Sequence, residues 1–425
     1  GATAIDATAM AAGQTLTTSG AGAITVTGLV AYLDASTASG AVDVTAGSAS
    51  QSITTGSGDD TVRTGALTTV SGAINLGAGA ADQLVITTTA TNISAATLTG
   101  VEQVNLGSGV NATMTIAQNA LVNTAEGTNT ITLSNGGTST GAALVESYVL
   151  ADAANNDFTL GAAGQNVTGS GTQDDIVRTG ALTTVSGAIN LGAGATDQLV
   201  ITTTATNISA ATLTGVEQVN LGSGVNATMT VSQHALINTA TDMNTVSLTD
   251  AFAGAQILNA DVETFVLAAG ANSVTTGATN QNITATALTN SQVLTLTGAN
   301  DATVAFANGD INASTYTGAL TVTGTGTTGK FTTGTVSSSI SSTGATAIDA
   351  TAMAAGQTLT TSGAGATTIT GLQANLTDTS TAAQTITVAS VADITLALGS
   401  DTNGTDAITA TALTNSQVLT LTGAN

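Results

Sequence analysis

The chain has 425 residues, 49 of them Gly, with no Pro, Cys or Trp, and its 26 carboxylates face three basic side chains for a formal net charge of −23. That balance excludes nucleic acid, whose phosphates need Lys and Arg, disfavours anionic membrane surfaces, removes disulfide and thiol chemistry, and leaves cations as the natural partners. With 42% hydrophobic and 7% charged residues the chain can bury a core, but with 2% aromatics that core is thin and aliphatic, which suits a narrow repetitive β fold.

Residues 1–29, GATAIDATAMAAGQTLTTSGAGAITVTGL, return at 344–372 with changes only at Ile24 (Thr367) and Val26 (Ile369). Within them Ala7–Ala12 predicts one helical turn at most, since Thr8 and Gly13 oppose more. Ile24-Thr-Val26-Thr and Val42-Asp-Val44-Thr then alternate apolar with polar. This is the period of a strand with an aliphatic row turned to the core and Thr outward. The alternation recurs at Ile131-Thr-Leu133, Leu294-Thr-Leu296-Thr and Leu320-Thr-Val322-Thr. Strands of about four to seven residues, ended by Gly, Asn, Asp and Ser, are expected throughout.

Gly56-Ser-Gly58-Asp59-Asp60-Thr-Val62 fits G-x-G-x-D-x-U, a calcium-binding repeat pattern. Glycines permit positive φ and present carbonyls, Asp60 stands at the motif aspartate beside Asp59, and the aliphatic residue enters the core. Related turns hold Asp82 after Gly77-Ala-Gly79, its copy Asp197, the pair Asp174 and Asp175 after Gly169-Ser-Gly171, and Asp406 after Gly404. These carboxylates, with Gly56 and Gly58, are the candidate metal ligands. The alternative is a set of polar turns whose Asp side chains accept backbone hydrogen bonds.

From Val62 to Thr115 the chain matches Val177 to Thr230 at every position but Ala81 against Thr196. A structural unit is repeated in this way far more readily than an active site. V-E-x-[VYF]-x-L occurs at Val101, Val145, Val216 and Val262, its Glu placed where a strand enters from a turn. Residues 283–300 return unchanged as 408–425, and a looser relative runs from Ile311 to Gly324. The copies divide the chain into 1–61, 62–176, 177–282 and 283–425. They are shuffled units without one period, and the closing motif at Asn425, already seen at Asn300, is expected of a portion of a longer protein.

Catalysis finds little support. His234 is the only histidine and its counterpart is Asn119, which reads as a surface position rather than a base. Arg63 and Arg178 follow Asp pairs and are expected to neutralise them; a polysaccharide lyase would need more basic groups and sugar-stacking aromatics. Thr-x-Thr runs suggest an ice-binding face, but their irregular spacing favours ordinary strand exteriors. Asn92, Asn111, Asn207 and Asn226 open glycosylation sequons of the kind a Thr-rich chain produces by chance. No run of about 18 apolar residues predicts a transmembrane helix.

The GSGDDTV turn at 56–62, the GAGAADQLVI and LTGVEQVNL segments and INASTYTGALTVTG resemble RTX-related, calcium-dependent bacterial surface-layer proteins and repetitive β adhesins of similar style. The resemblance implies a β-solenoid or a string of β domains, type I secretion, and assembly on the outer cell surface with calcium, a surface glycan being a candidate anchor. The fold expected is all-β, a repetitive β-solenoid, with a string of small β-sandwich domains as the alternative. The function expected is a non-enzymatic extracellular structural protein that assembles with copies of itself. An adhesin stalk is the second reading.

Overall fold

The computed structural model describes residues 1–169, 171–278, 280–324, 329–402, 405–414 and 416–423. Gly404 of the last candidate turn and Asn425 lie outside them. The described residues are nearly all β, 2% helical, and their parallel coils form a β-solenoid of about 21 turns. A sandwich would need antiparallel sheets, whereas strands one coil apart here pair in parallel, as Ala302–Phe306 does with Leu320–Gly324.

The coils fall into two compact units, Gly1–Thr203 with Ala210–Asn220, and Thr204–Ser209 with Leu221–Asn425. In the first, one sheet takes a strand from each successive coil: Thr3–Asp6, Ile24–Leu29, Val42–Ala46, Thr61–Arg63, Gln83–Ile86, Gln103–Leu106 and Val122–Ala125. A second sheet takes the return strands, from Thr15–Gly20 to Thr97–Thr99. The second unit contains a 12-stranded sheet from Thr206–Asn207 to Leu419–Gly423, and a 9-stranded one from Gln256–Ile257 to Ala407–Thr409.

Stacked coils bring like residues together. Val26, Val44, Val62, Leu84 and Val104 lie in register on successive strands, and each is at most 1% exposed. Such a side chain contributes about 1.5–3 kcal/mol by burial, so a one-residue-wide aliphatic column suffices for each strand. The alternations read from the sequence hold: Ile24, Val42, Ile131, Leu294 and Leu320 are buried, and Thr25 and Thr321 are exposed.

Coil length varies while register does not. Leu359 faces Leu376, 17 residues on, and Leu396 faces Leu421, 25 residues on. The difference is taken up in the corners, which is why no single period governs the sequence. Strands are also shorter than expected, down to two residues at Ile53–Thr54, because each needs only enough backbone to bond the coil on either side.

Ala7–Ala12 forms no helix. Single helical turns occur instead at Ile116–Asn119 and Val231–His234. Thr115 accepts from the Gln118 N–H while Gln118 accepts from the Thr115 N–H, and Thr230 and Gln233 do the same. This reciprocal capping box starts the turn, and T-x-x-Q was its visible signal.

Candidate functional site

The Asp turns stack one above another at a corner of the solenoid. Asp60 Oδ1 accepts from the Val42 N–H at 2.7 Å, 18 residues back and one coil below. The Asp60 N–H donates in turn to Asp82 Oδ1 at 2.6 Å, and the Asp82 N–H to Glu102 Oε2 at 2.9 Å. Each carboxylate holds the backbone of the coil before it, and the N–H of Asp60 and of Asp82 is held by the coil after.

The second copy repeats the arrangement. Asp175 Oδ1 accepts from Asn156 N, the Asp175 N–H donates to Asp197 Oδ1 at 2.7 Å, and the Asp197 N–H to Glu217 Oε2 at 3.0 Å. Glu146 and Glu263 do the same for the N–H groups of Asn129 and Asn244, both at 2.7 Å. All four V-E-x-h-x-L glutamates therefore share one task. Near the end of the chain, Gln384 N donates to Asp406 Oδ1 at 2.8 Å.

The paired aspartates point opposite ways. Asp59 Oδ1 accepts from the N–H groups of Ala80 and Ala81, and Asp174 Oδ1 from those of Ala195 and Thr196. One member of each pair grips the coil below and the other the turn above. The backbone N–H of Thr196, with help from its hydroxyl, holds Asp174 below the ordinary carboxylate range.

Asp60, Asp82, Asp175 and Asp197 are fully buried, and the Oδ2 atom of each has no hydrogen-bond partner. Burial pushes all four carboxyls up, against the hydrogen bonds they accept. Carboxylate neighbours add to the rise, Asp59 for Asp60, and Asp60 and Glu102 for Asp82. Among the described residues no group of three or more acidic, His or Cys side chains converges on one point.

Gly56 and Gly58 do not take the positive φ expected of them. They are glycine because the neighbouring coil passes too close. A Cβ on Gly56 would collide with the carbonyl of Ala38, and one on Gly58 would lie 2.6 Å from the Gly40 carbonyl carbon.

Two further sequence expectations change. Arg63 pairs with Asp43 at 3.2 Å and Arg178 with Asp157 at 2.6 Å, not with the local Asp pairs, because strand stacking brings the preceding coil nearer than the turn. Asn119 and His234 are 3% and 4% exposed, so the slot is interior rather than surface.

Sequence reasoning missed a set of buried glutamines. Gln51, Gln165 and Gln281 each accept from the N–H of the glycine four residues before, at 3.0, 2.7 and 2.8 Å. Their amides donate one coil back, to Ala31 O, to Ala142 and Val145 O, and to Asn259 and Val262 O. The spacing G-x-x-x-Q was the available signal. A groove of about 500 Å³ beside Asn290, Asp310 and Thr346 includes Lys330, whose ammonium pairs with Asp349 at 3.1 Å. Comparison with protein-family models, curated proteins and solved structures returns no match to this chain.

Proposed function

We propose that the chain is an extracellular structural protein that assembles with copies of itself into a layer or filament at a bacterial cell surface, with calcium as its stabilising cation. One observation carries this reading: the acidic side chains staple coil to coil through backbone N–H groups in both long repeats. Chemistry-bearing residues spent this way resist separation of the coils, which is what a scaffold requires.

Calcium is proposed on the chemistry of the donors. The partnerless Oδ2 atoms of Asp60 and Asp82, and of Asp175 and Asp197, are hard oxygen donors in a chain with three basic side chains. These are the residues that would hold it, and a bound cation would supply the charge that burial leaves uncompensated.

Electron microscopy of the full chain with and without calcium tests assembly. Ordered sheets or fibres are expected, and dispersed particles under every condition would remove the reading. Thermal unfolding with a chelator tests the cation separately: binding to the folded state alone adds about 2.7 kcal/mol at a hundredfold excess over Kd. An unchanged Tm after chelation would take calcium out of the account.

A further inference from the structure

The outward face of the 12-stranded sheet is uncharged along two columns of side chains. Its first column runs in register through Thr264, Asn282, Thr303, Thr321, Ser339 and Thr360. Beside it stand Val266, Thr284, Ala305, Thr323 and Ser341, again one per strand. Neither column holds a charge. No hydrogen bond joins these side chains to one another or to any other described side chain.

On three other sheets outward side chains are spent on each other. Asn105 bonds Gln83, Asn123 bonds Gln103, and Arg63 meets Asp43 on the first sheet. Arg178 meets Asp157, and Lys330 meets Asp349, on two others. The 12-stranded face combines neutrality with uncommitted hydroxyls on strands mostly longer than those of the seven-stranded sheet from Thr91–Asn92 to Thr212–Thr214, which carries a like uncharged column of Thr113, Thr132, Val149, Thr168 and Thr214.

We propose that this face is the surface on which a second copy of the chain docks, the elementary contact of the assembly put forward above, on which this inference rests. The charge argument is direct. Copies at a net charge of −23 repel, and on this face they can meet without bringing carboxylates together or stripping water from an ion. Size agrees: the second column extends through Thr228 and Ser247 before Val266 and through Ser362 after Ser341, so about eight strands roughly 4.8 Å apart and about four to five residues wide present roughly 570 Å² per copy, or about 1,100 Å² in a pair, above the roughly 1,000 Å² a specific interface needs. Val266 and Ala305 supply apolar contact, and the hydroxyls, being donor and acceptor at once, satisfy one another across a self-complementary contact. An ordered-water surface is the weaker occupant, because Asn282, Val266 and Ala305 interrupt any uniform rank of hydroxyls.

Sedimentation velocity of the full chain over a concentration series tests this with Thr321→Glu/Thr360→Glu against a control of equal charge change, Thr25→Glu/Thr368→Glu, on other faces. Wild type and control are expected to self-associate alike, and the face variant at least tenfold more weakly with unchanged circular dichroism. Thr321→Gln, uncharged and bulkier, serves if the double variant fails to fold, and weakens association too. Equal association of face variant and control overturns the face and leaves assembly standing. Equal weakening of both overturns it as well, since general repulsion then suffices. A wild type monomeric at every concentration removes the proposed assembly along with it. A monomer that adsorbs to ice through Thr321 gives the face to ordered water.

Discussion

The two long repeats fill one interior slot in two ways. In the first, Asn119 donates from Nδ2 to Thr140 O at 2.9 Å and accepts from the Tyr148 hydroxyl at 3.1 Å, and that hydroxyl accepts from the Ala142 N–H at 2.7 Å. In the second, His234 stands in the Asn119 position, edge-on to Phe265 at 5.4 Å and Phe252 at 5.9 Å. Its Nε2 accepts weakly from Asn259 N at 3.4 Å, and its Nδ1 has no partner. The residues facing the slot changed together: a hydroxyl went where an amide could use it, and an aromatic edge where a ring could. A solenoid coil specifies the volume and polarity of its interior more strictly than the residue.

The largest test of that comparison is to cross the pairs. His234→Asn alone strands a buried amide against Phe265 and Phe252, and is expected to cost about 3 kcal/mol in urea unfolding, the upper range for an unsatisfied buried polar group. Adding Phe265→Tyr supplies the first repeat's hydroxyl and should recover at least half. A double variant no better than the single one would show that the slots are not interchangeable.

The two solutions also differ in acid. Burial lowers the His234 pKa to about 4, against an ordinary value of 6.5. Its neutral form is favoured by folding, so its contribution is complete above pH 6.5 and is lost as pH falls toward 4, up to about 3 kcal/mol in all. The Asn119 repeat has no such term. The crossed double variant should therefore unfold with a flatter pH dependence across that window, and an unchanged profile would assign the acid sensitivity elsewhere.

The ion pairs give the smallest difference. Arg178 grips Asp157 through two nitrogens at 2.6 and 3.0 Å, while Arg63 reaches Asp43 through one at 3.2 Å, and all four side chains are 30–44% exposed. Arg178→Met is expected to cost more than Arg63→Met, with both below about 1 kcal/mol. Equal costs would show that the second bond adds nothing in water.

Much of the fold was legible because alternation is local: Ile24 and Val26, or Leu294 and Leu296, declare a buried face from their own neighbours. The Asp turns were legible as a place but not as a geometry. Asp59 and Asp60 are adjacent in sequence, and only the stacking of coils 21 and 18 residues away sends their side chains in opposite directions. Glu102 remained opaque for the same reason, since its partner is the Asp82 N–H 20 residues earlier. His234 was misread because a substitution to Asn suggests exposure, whereas here the partner Tyr148 makes Asn the well-satisfied interior choice.

The variable corners have a kinetic consequence. Within each unit, strand contacts join residues one coil apart, 17 to 25 positions in the pairs at the extremes. Loop-closure entropy is then met in small equal steps rather than in one long-range search. A chain so built nucleates on any adjacent pair of coils and grows outward by zipping. An insertion in a corner slows one step and leaves the rest unchanged, so the molecule can lengthen by duplicating fragments of any size while keeping a folding route.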